Sequence, residues 1–299
     1  MHSFLKSIGF NNISTKEDEE KLLDEIIRYS NRKTLVSISR TDSTQYAEYS
    51  YDVAPNIGIT VSGQIDEREH FHRDHYFPFL TPRNITTTEE VFIGKKSDND
   101  SYGGLCEDYR VGVSIIFHLQ NAADYLKRNR MEETSLQCPT RIAGLASEGT
   151  ILFPTLKTAE DILVANDETK QFAKMIAAAK KGNQDAIDNL VIKEIDTYSS
   201  VNDRMKNEDV FSIVDTSFAP YGMESEIYRI VGIIMSLEER INSLTKEKVY
   251  VMELYCNHII FDVCINAENL LGVPEKGRRF RGIVWLQGLV DFDKQIKGV

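Results

Sequence analysis

Ile115-Ile116-Phe117-His118-Leu119-Gln120-Asn121-Ala122 runs through apolar strand residues, stops at an asparagine and enters alanine. Apolar residues in a short run of this kind mark a strand, and an asparagine side chain can accept a backbone amide bond to start a helix. The unit returns as Ile260-Phe261-Asp262-Val263-Cys264-Ile265-Asn266-Ala267, and Leu126 and Leu271 follow the two asparagines at the same spacing. Three more blocks recur in the same order, about 140 residues apart. Tyr76-Phe77-Pro78-Phe79 is matched by Phe218-Ala219-Pro220-Tyr221, Val91-Phe92-Ile93-Gly94 by Arg229-Ile230-Val231-Gly232, and Arg141-Ile142-Ala143-Gly144-Leu145 by Arg279-Phe280-Arg281-Gly282-Ile283. The offset changes only between blocks, where loops absorb extra length at small entropic cost. The pattern predicts an α+β fold made by internal duplication: two similar, mainly β modules, each with a helix after a central strand, joined by a helical segment.

Outward from these blocks, Leu22, Leu23, Ile26 and Ile27 recur at helical spacing among acids, predicting an amphipathic helix over residues 16–32. Strand patterns follow at Thr34–Ile38 and Ile57–Val61. Residues 158–208 differ in kind, with a cap signal at Thr158, an Ala/Lys-rich run ended by Gly182, and a further helical pattern from Gln184 to about Ser199. The expected organisation is an N-terminal module over 1–157 (repeat copy about 65–155), a helical bridge over 158–208 and a C-terminal module over 209–299. Tandem modules of this kind are expected to leave a binding groove between them.

The bulk numbers exclude several classes. With 299 residues, 41% hydrophobic and 27% charged, the chain can bury two ordinary cores. No apolar run reaches the ~20 residues of a membrane span, and the opening residues lack the pattern of a signal peptide. The four cysteines form no Cys-x-x-Cys pair and read as reduced core residues. A cytoplasmic protein is expected. The formal charge of −11 argues against nucleic acid or an anionic membrane as partner.

His70-Phe71-His72-Arg73-Asp74-His75 spells H-x-H-x-D-H and resembles the first metal motif of the metallo-β-lactamase hydrolases, in which it would supply zinc ligands. The flanks do not follow that family: Gln64–Glu69 is polar, Tyr76-Phe77-Pro78 follows, and the later histidine motifs are missing. On a strand His70, His72 and Asp74 share one face while His75 points to the other. The second cluster is Lys276-Gly277-Arg278-Arg279-Phe280-Arg281-Gly282, where Lys276, Arg278, Arg279 and Arg281 beside glycines suit an anion. Leu145-Ala146-Ser147-Glu148-Gly149 lacks the first glycine of a nucleophile elbow, and no phosphate- or dinucleotide-binding loop is present, so no cofactor is expected. Trp285, in a glycine-bounded apolar strand, is expected to pack in the core.

The run Glu208–Thr216 followed by Pro220-Tyr221-Gly222, the run Gly277–Gly282 followed by Trp285-Leu286-Gln287-Gly288, and the opening Met1-His2-Ser3-Phe4-Leu5 together resemble an uncharacterised clostridial-type bacterial family classed as a domain of unknown function. The resemblance implies a bacterial protein and assigns no catalytic residues. The reading of the residues is a non-catalytic binding or interaction protein that recognises an anionic small molecule or protein through the basic loop. The alternative is a metal-dependent hydrolase using His70, His72 and Asp74.

Overall fold

In a computed structural model the described residues are 2–37, 44–96, 101–128, 135–154, 175, 178–179, 182–192, 214–223 and 225–294. Most of the expected helical bridge, 158–208, lies outside them. Within it, 184–192 are helical, and Gly182 precedes that helix with a positive φ of 82°.

A 3-10 turn (Leu5–Ile8) leads to helix α1 (Lys16–Arg28). Thr15 caps α1 by accepting the Asp18 amide at 3.1 Å, and acids occupy the first turn, where they complement the helix dipole. A four-stranded antiparallel sheet follows in the order β1 (Arg32–Ser37), β2 (Gln45–Ala54), β3 (Ile57–Ile65), β4 (Phe71–Leu80).

All later strands belong to one large sheet. β5 (Glu90–Lys95), β6 (Tyr102–Glu107) and β7 (Ser114–Leu119) form an antiparallel meander. Helix α2 (Ala122–Arg128), β8 (Ser135–Gln137) and the long β9 (Thr140–Leu152) follow. Beyond the insert come β10 (Ser217–Pro220), β11 (Ile227–Ile241), β12 (Lys248–Cys256), β13 (Ile259–Asn266), the short β14 (Leu270–Leu271) and β15 (Arg279–Val290). β9 and β15 lie side by side, antiparallel, over almost their full length. The two sequence halves therefore meet by direct strand pairing along β9 and β15.

The pairing also closes on itself. β11 pairs with β12, β12 with β13, β13 with β9, β9 with β15, and β15 again with β11. Ile233 is the corner, opposite Tyr255 on one side and Arg279 on the other. This five-stranded circuit is filled by residues including Tyr228, Met252, Phe261, Phe280 and Val284. Its outer face presents Leu145, Val251, Cys264 and Trp285 to the N-terminal turn, α1 and the four-stranded sheet, giving a second core. Asn266 starts a turn as expected, accepting the Glu268 amide, but the helix stops at Asn269. Leu270 and Leu271 resume pairing with β9, so the ladder claims the residues that would have continued the helix.

Candidate functional site

The sequence-expected metal cluster divides. His70 and His72 are exposed and meet at Asp66, with His72 Nε2 at 2.9 Å from its Oδ2 and His70 Nδ1 at 3.8 Å. Asp66 Oδ1 also accepts the Arg68 and His70 amides, so the group organises the turn between β3 and β4. The His72 bond is the main cause of the Asp66 carboxyl being lowered to about 2. The pairing of β4 passes from His75 opposite Ser62 to Arg73 opposite Gly63, which leaves exposed Asp74 as the extra residue of a bulge. Among the described residues no group of three or more His, Cys, Asp or Glu side chains is placed to hold a metal ion.

The basic loop divides as well. Arg279 is buried, and its Nε and one terminal nitrogen donate to the carbonyls of Phe153 (3.0 Å) and Val214 (2.9 Å). Arg278 donates to the Val273 carbonyl and pairs with Glu275 at 2.9 Å. Lys276 and Arg281 are exposed.

The chemistry gathers elsewhere, where β4, the N-terminal segment and the β7–β15 seam meet. β7 and β15 are parallel neighbours with Gln287 opposite His118. His118 and Trp285 emerge on the same face, their ring centroids 5.3 Å apart. Phe77 of β4 packs on the other side of His118, centroids 4.4 Å apart, and His75 lies 6.4 Å from it. The N-terminal segment closes one wall, with His2 4.6 Å from Trp285 and Phe4 stacked on Trp285 at 5.6 Å. The His2 amide donates to the Tyr76 hydroxyl at 2.7 Å, and that hydroxyl donates to buried Glu19.

Gln287 locks the three parts together. Fully buried, it accepts the Gln120 side-chain amide at 2.7 Å and donates to the Pro78 carbonyl at 2.5 Å. Its amide thereby holds β4 against β7 and β15 at the back of the site.

The result is a cleft of about 350 Å³, at the small end of ligand pockets. Its charged side chains among the described residues are Lys96 and Glu226, which pair with each other, and Glu226 Oε2 also accepts Trp285 Nε1–H at 2.9 Å. His118 is 3% exposed, and its Nε2 has no hydrogen-bond partner among the described residues. Burial first, then the nearby Lys96 charge, hold the His118 imidazole neutral, well below its ordinary range. Burial likewise lowers His2 to about 4. Glu19 and Glu226 are both engaged, so the arrangement offers aromatic rings and neutral hydrogen-bonding edges.

Neither His118 nor Trp285 was marked by strand alternation, because both faces of β7 and β15 are buried and period two carries no contrast there. The available signal was a histidine inside Ile115–Leu119 and the lone tryptophan, each a polar-tipped ring in an apolar strand.

A family model matches residues 5–288, described as domain of unknown function, E. rectale Gene description (DUF3881), and the chain belongs to that family. The clostridial-type resemblance in the sequence is thereby borne out. No curated protein and no solved structure matches the chain. No helix among the described residues is long and apolar enough to cross a membrane.

Proposed function

We propose that this member of the family is a non-catalytic binding protein whose ligand is a small molecule held in the His118–Trp285 cleft. One observation carries the reading. A buried, neutral imidazole with an unpartnered nitrogen costs roughly 1–3 kcal/mol relative to a satisfied or apolar side chain, and the His118 ring lines a cleft of ligand size. A hydrogen bond from a ligand would offset that cost. The basic loop is a weaker candidate for the anionic partner, because Arg278 and Arg279 are already engaged by carbonyls and Glu275. The four free cysteines, all buried, support a cytoplasmic setting.

We also read the large sheet as two interlocked copies of one unit. The β5–β7 and β11–β13 meanders correspond in order, and their last strands run parallel to β15 and β9 respectively. The alignment that equates Arg141 with Arg279 also equates Ala146 with Val284, and these two residues face each other. A local twofold axis relating the copies would pass between them.

Native mass spectrometry of protein purified without denaturation tests the binding reading. A retained small molecule is expected, absent from the His118→Leu variant. Retention by that variant, or a clean apo mass together with no thermal shift across a metabolite library, would overturn it.

A further inference from the structure

We propose that the cleft takes an uncharged planar ring, a heteroaromatic with a hydrogen-bonding edge, laid against Trp285 with a ring or exocyclic heteroatom on the His118 imidazole. The inference rests on the binding reading above and adds the ligand's class. The walls are rings: Trp285 with His2 and Phe4 on one side, and Phe77 behind His118. Flat partners gain offset-stacked or edge contacts on such walls without ordering flexible chains. The volume of about 350 Å³ accommodates one ring or a fused pair.

Charge decides between ring types. Lys96 and Glu226 neutralise each other at the cleft, and Glu226 is held further by Trp285 Nε1–H. A ligand carboxylate would have to draw Lys96 away from Glu226, and an ammonium would have to draw Glu226 from Lys96. Each leaves one member of a largely buried ion pair unmatched. An uncharged ring leaves the pair closed and still satisfies His118, whose imidazole can donate or accept according to tautomer.

Trp285 is the sole tryptophan, so its emission reports on the cleft directly. The experiment titrates full-length protein with nicotinamide, nicotinate and 3-(aminomethyl)pyridine, three probes of one ring carrying no charge, a negative charge and a positive charge. Saturable quenching by nicotinamide is expected, with affinity about tenfold or more weaker for the two ions and for nicotinamide on His118→Leu. His118→Gln, which keeps a hydrogen-bonding side chain, is expected to retain part of the affinity, and thermal melts confirm that both variants fold. Equal or tighter binding of either ion overturns the ligand class but leaves the cleft as the site if His118→Leu abolishes it. Indifference to His118→Leu, or no saturable quenching by any probe, overturns the inference. The broader reading falls with it only if native mass spectrometry also finds no retained molecule.

Discussion

His118 and Trp285 stand on adjacent parallel strands with ring centroids 5.3 Å apart, yet they come from opposite halves of the chain. The cleft is therefore a product of the seam between halves, and its polar ring is left unsatisfied in a place where apolar packing would be more stable. His118→Leu should raise stability by about 1 kcal/mol, because the unpartnered nitrogen is removed and a similar volume is kept. Urea unfolding measures it. A loss of stability would mean that the imidazole has a protein partner.

Half-buried His2 and buried Glu48 should pull stability in opposite directions across mildly acidic pH. His2 is lowered to about 4, so between its unfolded value of 6.5 and 4 only the unfolded chain takes up the proton, and stability falls as pH falls through that window. Glu48 is raised to about 7 by burial, opposed by bonds from the Tyr46 hydroxyl and the Ala123 amide. Between 4.5 and 7 the folded chain alone keeps that proton, and stability falls as pH rises. Glu48→Gln should flatten the loss above pH 5 and expose the histidine slope, at most about 1.4 kcal/mol per pH unit per proton. Thermal melts between pH 4.5 and 7.5 should show the two variants, Glu48→Gln and His2→Gln, tilting the profile in opposite senses.

Arg279→Ala should cost about 1–3 kcal/mol, because the carbonyls of Phe153 and Val214 lose their buried donors. Lys276→Ala, at an exposed position, should change stability by less than about 0.5 kcal/mol. Denaturant midpoints at matched slope distinguish the two.

Gly104 and Gly288 make room for the flat face of Phe117, and Gly149 for Phe280. A Cβ on Gly104 would lie 2.2 Å from the Phe117 ring, and one on Gly149 would lie 2.3 Å from Phe280. Gly149→Ala should destabilise by about 1–3 kcal/mol through overpacking. Gly94→Ala, with nothing within 4 Å, should be close to neutral. Calorimetric melting of both variants provides the comparison.

Local patterns carried much of the fold. The apolar spacing of Leu22, Leu23 and Ile26 and the cap at Thr15 specify α1, since both depend on residues within one helical turn. Asn266 marks the end of β13 for the same reason, accepting the Glu268 amide, whereas the Asn121 side chain exchanges bonds with the Val290 backbone of β15 before α2 begins. The histidine-rich stretch was legible as a cluster, but its bulge at Asp74 depends on register against β3, which no local pattern encodes.

By itself, then, the sequence determined helix α1, many of the strand segments and the family to which the chain belongs. Only the tertiary structure decided that the halves share one sheet, that Arg279 serves carbonyls, and that His118, Trp285, His2 and the Lys96–Glu226 pair surround one cleft. Local backbone preference and burial act over a few neighbouring residues. The cleft arises from strand pairing between β7 and β15 and from Gln287 holding β4 behind them, contacts between residues far apart in the chain.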